Sequence, residues 1–558
     1  MNLRFNSCIA AFLLTTANLV AAPDNLRQQS LQQWQSNRFG MFIHWGPISI
    51  LGEEISWSRA NSNTNCPNQG AVPVNVYDNL YKQFDPTNYH ASAWVDIAKS
   101  AGMKYLVLTA KHGDGFLLWP SKQDPYNIGA TPFQRDVCGE LAAAAQRKHM
   151  DLGWYYSPMD WRDPDCRSAN NARFNMKCQR ELRELLSNYG KISVLWFDTD
   201  GRPPDWDPTN TYALVRQLQP AMLLNNRLEM GRDGDWLNQG NLRPQEDFYT
   251  PEQRIGGYDD QTPWETCMTL GTQWSWKPGD KLKSAPEVVS ILARVTGGGG
   301  NLLLDVGPMP DGRIEPRQAE ILKQVGAWLR QNGESIYGTH GGPWKPTSAV
   351  TSTRRENIIY AHLLRWRDDV IELPDIPRRL KSASLLDGTP IKIAKLNGKI
   401  GISVPPGKRN ALDTVVKIQL DGSAMDLAAL DVAPKIKATA SNVFERQDSN
   451  YGPQFAFDDD HNSRWATDND TQQAWIAALL PAPQKVGGVN ISEAYAGRVQ
   501  KFEFQYRAGD AWNTIFTGTT IGGSFEKHFT PVTAREFRLN IRDATVGPTI
   551  NEIELLKK

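Results

Sequence analysis

Between about residues 30 and 335 one pattern repeats. A short apolar run ends on polar residues, and an amphipathic stretch with helical spacing follows. The runs are Met41-Phe42-Ile43-His44, Tyr105-Leu106-Val107-Leu108, Leu152-Gly153-Trp154-Tyr155-Tyr156, Val194-Leu195-Trp196-Phe197, Met222-Leu223-Leu224 and Leu302-Leu303-Leu304-Asp305. The helical stretches cover 92–101, 138–148, 175–186, 212–218, 287–295 and 318–332. Strands buried on both faces read as unbroken apolar runs, which is the mark of a parallel sheet. Their alternation with helices over about 300 residues points to an α/β chain built as a (β/α) barrel. A doubly wound sheet is the competing arrangement, but no glycine-rich phosphate loop follows the first strand. The glycines at 297–300 precede a strand, the wrong side for cradling a phosphate.

The pattern does not run to the end of the chain, and 558 residues are too many for one core. Residues 345–431 carry short alternating stretches, such as Ile358-Ile359-Tyr360-Ala361-His362-Leu363, separated by turn residues. They predict a small β-sandwich. Residues 432–558 also read as all-β, with strands expected near 501–507 and 535–541. Residues 1–22 have the form of a signal peptide: Arg4, an apolar run from Cys8 to Leu14, then Ala21 and Ala22 before Pro23. The run is too short to span a bilayer, and no later stretch is long and apolar enough. The expectation is an exported, periplasmic or extracellular protein with a catalytic unit at 23–344 and no membrane partner. Formal net charge is zero, so nothing calls for a polyanion, and nucleic acid is not an expected partner. The 19 tryptophans fit large cores equally well as sugar faces, which stack on aromatic rings. Five cysteines follow the leader: Cys66, Cys138, Cys166, Cys178 and Cys267. None has zinc-finger spacing, and Cys166 with Cys178 is the local pair that could close a disulfide.

Reactive side chains of a barrel gather at the C-terminal ends of its strands. Here the ends carry His44-Trp45, then Lys111-His112-Gly113-Asp114-Gly115-Phe116, Tyr155-Tyr156-Ser157, Asp198, and Asn225-Asn226-Arg227. Each alone reads as a cap or a structural hydrogen-bonding residue; their convergence on one rim is what suggests chemistry. Glycoside hydrolysis needs two carboxyl groups, a nucleophile and an acid/base in the retaining case. Asp198 is the natural nucleophile. Its partner belongs to a later loop, where Glu246, Glu252 and Glu265 are candidates that spacing does not separate.

Four blocks resemble glycoside hydrolase family 29, the α-L-fucosidases: Phe39-Gly40-Met41-Phe42-Ile43-His44-Trp45-Gly46, the Lys111–Phe116 block, Trp196-Phe197-Asp198, and Asn301-Leu302-Leu303-Leu304-Asp305-Val306-Gly307-Pro308. They stand in the family's order across about residues 30–345. The resemblance implies an imperfect (β/α)8 TIM-like barrel followed by a β-sandwich, and retaining hydrolysis of α-L-fucosides in a fucosylated glycan without a catalytic metal or cofactor. It implies Asp198 as nucleophile. The family's Asp-Phe-x-Thr-x-Glu pattern falls on Asp247-Phe248-Tyr249-Thr250-Pro251-Glu252, which makes Glu252 the acid/base. Glu265 also matches a family position and is read as structural. His44, His112, Tyr155, Trp196, Arg227 and Trp274 match positions that bind the sugar or line its pocket.

One departure stands out. Gly113 replaces the second histidine of the family's His-His-Asp-Gly-Phe block, so one sugar contact is lost or supplied elsewhere. It is also the only support for the alternative reading, an exported sugar-binding protein without catalysis. Residues 258–277, read as a loop, resemble the subgroup acting on branched α-1,3/1,4 linkages. Near the C-terminus, Gln454-Phe455-Ala456-Phe457-Asp458-Asp459-Asp460, Ser463-Arg464-Trp465-Ala466-Thr467 and Trp475-Ile476 resemble the discoidin, or factor 5/8 type C, jelly roll, a candidate carbohydrate-binding module. That resemblance implies a structural calcium, for which Asp458 and Asp460 offer hard oxygen ligands.

Overall fold

A computed structural model of the chain describes residues 23–199, 203–229, 242–366, 369–432, 436–458 and 463–556. The expected signal peptide, 1–22, lies outside the described residues. The apolar runs form a parallel sheet: β1 (Phe39–Ile43), β2 (Tyr105–Lys111), β3 (Asp151–Tyr156), β4 (Val194–Phe197), β5 (Leu223–Leu224), β6 (Glu265–Thr269) and β7 (Asn301–Val306). The order across the sheet is β5-β4-β3-β2-β1-β7-β6, and every neighbouring pair is parallel. The runs are continuous because both faces are covered. One face meets the barrel interior and the other meets helices such as Ala91–Ser100, Val137–Arg147 and Ala285–Gly297. Two of these helices start at side-chain caps that their sequences supply. Asp136 accepts from Gly139 N, and Ser284 with Glu287 forms a capping box.

The ring closes through an eighth, irregular stave. Residues 247–253 lie between β5 and β6, with parallel bridges Asn225–Phe248 on one side and Tyr249–Trp264 and Glu252–Cys267 on the other. Asp247 N donates to Leu224 O at 2.8 Å, and Cys267 N donates to Pro251 O at 3.1 Å. Pro251 has no N–H to give a ladder, and Gln253 adopts φ 52°, so a regular strand cannot form here. This is the sense in which the barrel is imperfect. It is also what puts Glu252 at the end of a stave, as Asp198 is at the end of β4.

β6 corrects the reading of 258–277 as a loop. Glu-Thr-Cys-Met-Thr lacks apolar alternation, yet all five residues are buried. The strand is tolerated because its polar groups are paired. Tyr105 Oη donates to Glu265 Oε2, and Trp196 Nε1 donates to Glu265 Oε1 at 3.1 Å. The glycines at 297–300 also find their reason in packing. A Cβ on Gly300 would sit 2.5 Å from the Trp264 ring, and Gly299 adopts φ +100°.

Two antiparallel sheets follow the barrel, one containing Val350–Arg355, Ile358–Leu363, Thr414–Leu420 and Leu380–Leu385, the other Ile371–Pro374, Lys399–Ser403 and Lys392–Leu396. They enclose their own core of Ile359, Leu373, Ile402, Val416 and Ile418. This is the expected sandwich, and its first pairing, at His340–Gly341, begins slightly earlier than the expected boundary. A third sheet contains Lys437–Ala440, Trp465–Ala466, Ala474–Glu493, Val499–Ala508, Ala511–Gly518, Phe525–Ala544 and Thr549–Leu556, closed over Trp465, Phe502, Phe504 and Phe537. Of the two carboxylates expected to hold calcium, Asp460 lies outside the described residues, and both carboxylate oxygens of Asp458 face Ser463 Oγ at 2.8 and 2.9 Å.

Candidate active site

Arg227 is the centre of the barrel mouth. Its Nη1 contacts Asp198 Oδ1 at 2.9 Å and Glu252 Oε2 at 2.7 Å. The guanidinium is itself fixed: Nε donates to Thr250 Oγ1 at 2.7 Å, Nη2 donates to Thr250 O at 3.1 Å, and the plane lies 4.5 Å from the Trp196 ring centroid. Burial opposes its charge, but the Coulomb fields of Glu252 and Asp198 outweigh burial and raise its pKa. The Arg227 side chain is 4% exposed, while Asp198 and Glu252 keep 23% and 32%, so the carboxylates remain open to a ligand and their anchor does not.

The Asp198 backbone is clamped from β5. Phe197 N donates to Asn225 Oδ1 at 2.9 Å, Asn225 Nδ2 donates to Phe197 O at 2.8 Å, and Thr199 Oγ1 donates to Arg227 O at 2.6 Å. Tyr155 Oη donates to the second carboxylate oxygen, Oδ2, at 2.8 Å. Tyr155 is stacked between two expected site residues, with His112 on one side at 5.2 Å and Trp196 on the other at 5.7 Å.

The two histidines are held as neutral imidazoles. Burial pushes His44 down to about 4 and His112 down to about 3, the latter helped by its neighbour His44. His44 Nδ1 shares a hydrogen bond with Asp305 Oδ1 at 2.7 Å, and His112 Nδ1 shares one with Ser56 Oγ at 2.6 Å. Burial also drives the Asp305 carboxyl well above the usual range, so burial disfavours the charged form of both partners in this contact. In each histidine Nε2 is left for a ligand. Trp274 lies 4.8 Å from His44 and 6.1 Å from Phe42, which completes an aromatic wall with Trp196.

All eight expected site residues therefore meet at one mouth. The other two carboxyl candidates do not stand in it as Glu252 does. Glu246 Oε2 accepts from Arg243 N at 2.8 Å and ties its own loop, while Glu265 is buried beneath Trp196. Sequence reasoning missed three contributors. Ser56 holds His112 and also accepts from Asp114 N at 2.8 Å. Thr250 fixes Arg227. Glu54 accepts from Trp274 N at 2.9 Å and Ser275 N at 3.2 Å and lies in the field of His44; burial raises its pKa. Only Thr250 had a signal, inside the Asp-Phe-x-Thr-x-Glu pattern.

Gly113 has a structural counterpart. A Cβ there would already touch the Trp161 ring at 3.5 Å, and Trp161 N donates to Gly113 O at 2.9 Å. A longer side chain at this position would lie against that indole. Trp57, 49% exposed, packs edge-on against Trp161 at 5.0 Å.

A carboxyl pair bridged by one arginine, in a barrel mouth walled by tryptophan and neutral imidazole, defines a sugar-cleaving barrel of the glycoside hydrolase class. The chain belongs to the α-L-fucosidase family, glycoside hydrolase family 29, whose family model matches residues 11–334. A second family model, the F5/8 type C domain, matches residues 437–555. The human plasma α-L-fucosidase is 31% identical over 376 residues, covering 62% of this chain and 78% of that protein. Among solved structures, α-L-fucosidase isoenzyme 1 from Paenibacillus thiaminolyticus is similar with a TM-score of 0.63 at 32% identity, covering 71% of this chain and 100% of that one. A family 29 α-L-fucosidase from Bacteroides thetaiotaomicron, a mutant trapped as a covalent intermediate with 2-fluoro-fucosyl fluoride, is similar at 25% identity with a TM-score of 0.61, covering 71% and 96%.

Proposed function

We propose that the chain releases terminal α-L-fucosyl residues from oligosaccharides or glycoconjugates by double displacement. Asp198 attacks the anomeric carbon while Glu252 protonates the departing oxygen. Glu252 then takes a proton from water, which displaces Asp198 and releases fucose with its original configuration. The observation that carries this reading is the shared Arg227 Nη1. Two oxygens that both touch one nitrogen can be no further apart than the two contacts laid end to end. That upper bound lies near the separation of about 5–5.5 Å in a retaining pair and below the roughly 6.5–9.5 Å that an inverting pair needs to admit water. The trapped covalent intermediate of the Bacteroides relative supports the same course.

His44 and His112 offer neutral Nε2 atoms to sugar hydroxyls, and Trp196 and Trp274 present an apolar wall to the C5 methyl group. Fucosides with branched α-1,3/1,4 linkages are the preferred substrates in this reading, and the exposed Trp57, packed on Trp161, is the residue assigned to their remaining sugars. The reaction needs no metal, because the carboxyl pair supplies both attack and proton transfer. A calcium ion at Asp458 and Asp460 of the C-terminal unit and export directed by residues 1–22 complete the proposal. The first is checked by a fall in Tm of that unit with EDTA, the second by N-terminal sequencing of the secreted protein.

The test is an assay on an aryl α-L-fucoside and on a Lewis-type trisaccharide, with the anomer followed by proton NMR. Release of α-L-fucose as the first-formed product is expected. No release from either substrate would leave the non-catalytic sugar-binding reading instead.

A further inference from the structure

The loops that follow β1 and β3 meet beside the active-site mouth, and each brings a cysteine to the meeting point. Cys66 and Cys166 are both 0% exposed and stand as free thiols that feel one another's charge. The backbone there is pinned from both sides. Asn63 Nδ2 donates to Asp163 O at 2.8 Å, Cys66 N donates to Asn63 Oδ1 at 3.4 Å, and Cys166 N donates to the same Asp163 O at 3.1 Å. Both cysteines thus hang from one Asn63–Asp163 link, which fixes their distance from each other through short, local paths.

The remaining thiols are engaged elsewhere. Cys178 Sγ lies 3.6 Å from Pro158 O and 4.0 Å from Lys111 Nζ, Cys267 Sγ lies 3.8 Å from Pro251 O, and Cys138 is buried in the helix Val137–Arg147. The local pairing of Cys166 with Cys178 that the sequence spacing allowed is therefore not the one the fold favours.

We propose that Cys66 and Cys166 form a disulfide bond that staples the loop after β1 to the loop after β3. The oxidant is a small-molecule or protein disulfide. One cysteine, as thiolate, attacks a sulfur of that disulfide and releases one thiol. The second cysteine then displaces the mixed disulfide and releases the other. Two electrons and two protons leave the cysteine pair, and the oxidant ends as two thiols. Both sulfurs are fully buried in the folded chain, so an external disulfide cannot reach them there. The bond must form while the loops are still open, during folding. Once formed, it fixes Ser56, which orients His112, relative to Trp161. The inference goes beyond the fucosidase reading and does not depend on it.

The full chain, denatured and reduced, is refolded in a mixture of reduced and oxidised glutathione, alkylated, digested without reductant and analysed by mass spectrometry. A linked peptide containing Cys66 and Cys166, lighter than the two reduced peptides by two hydrogens, is expected. Closing a loop of about a hundred residues constrains the unfolded chain, so the oxidised protein should melt about 5 °C above the same chain refolded with reductant. The Cys66→Ala/Cys166→Ala chain should lose that difference. Disulfide added after reductive folding should leave both thiols free. Recovery of both cysteines alkylated after oxidative refolding, or Cys166 linked to Cys178, would overturn the proposal. The peptide map of the parent chain decides this even if the double variant fails to fold. Fucoside turnover, measured separately, reports on the active site alone.

Discussion

Arg227 does two jobs with one nitrogen. It holds Asp198 and Glu252 at a fixed separation, and it sets a positive charge beside the attacking carboxylate. Replacing it by lysine keeps the charge and loses the fork that Thr250 and Trp196 hold flat. Arg227→Lys should lower kcat/KM by about 10^2–10^3, as removal of a preorganised donor does elsewhere, with little change in Tm. Tyr155→Phe removes one hydrogen bond to Asp198 while keeping the ring between His112 and Trp196. A bond to a charged acceptor contributes about 1.5–3 kcal/mol, which as a barrier is roughly 10- to 100-fold in kcat. Steady-state kinetics check both. Gly113→His probes the departure from the family block. Because a Cβ there already touches Trp161, which packs on Trp57, the imidazole should shift both indoles, and activity on the trisaccharide should fall more than activity on the aryl fucoside. At this scale the strand-end residues were legible because β-strands deliver their last side chains to the mouth. Ser56 and Glu54 were not, since they sit in a loop whose path depends on contacts with Ser275 and Tyr77, 220 and 21 residues away from the backbone groups they bind.

Among the elements, β6 and the stave before it show where sequence patterning stops. β1 to β4 and β7 are apolar because their outward faces meet helices. β6 carries a carboxyl group into the same layer and is stable only because Tyr105 and Trp196 pair with it. Removing that carboxyl with Glu265→Leu takes the acceptor from the buried Tyr105 O–H and the buried Trp196 N–H, at about 1–3 kcal/mol each. The variant should melt well below the parent. Burial raises the Glu265 carboxyl from the ordinary 4.5 to about 7. The folded chain then keeps a proton that the unfolded chain releases across that window, so this group's contribution to stability falls as pH rises from about 4.5 through 7. Glu265→Gln, which stays neutral, should flatten the decline of the urea midpoint over that range, whereas an unchanged slope would contradict the assignment. The irregular stave escaped pattern reading for a different reason: Pro251 and the left-handed Gln253 break the strand signal at the point where the chain needs a bend to present Glu252.

Across the whole molecule, the barrel and the sandwich are built as one body, and the C-terminal sheet has a core of its own. Thr353 Oγ1 donates to Ser335 O at 2.5 Å, Trp328 Nε1 donates to Asp413 O at 3.3 Å, and a Cβ on Gly297 would collide with Thr351. Cutting the chain after 344 should therefore give aggregated protein. Cutting after 431 should leave a soluble enzyme with kcat/KM on the aryl fucoside within about twofold of the full chain, because Trp465, Phe502 and Phe537 pack among themselves. Domain order was readable from the shift in periodicity near residue 340, since helical and alternating patterns differ in their repeat. The central claim is that Asp198 bonds to the sugar. It is tested most directly by turnover of the aryl α-L-fucoside by Asp198→Gly with and without sodium azide, with the azide product identified by NMR. The account predicts a loss in kcat of at least about 10^4, partly restored by azide, with β-L-fucosyl azide as product because the anion enters from the vacated carboxylate's side. Turnover within about tenfold of the parent, or α-L-fucosyl azide as the product, would contradict it.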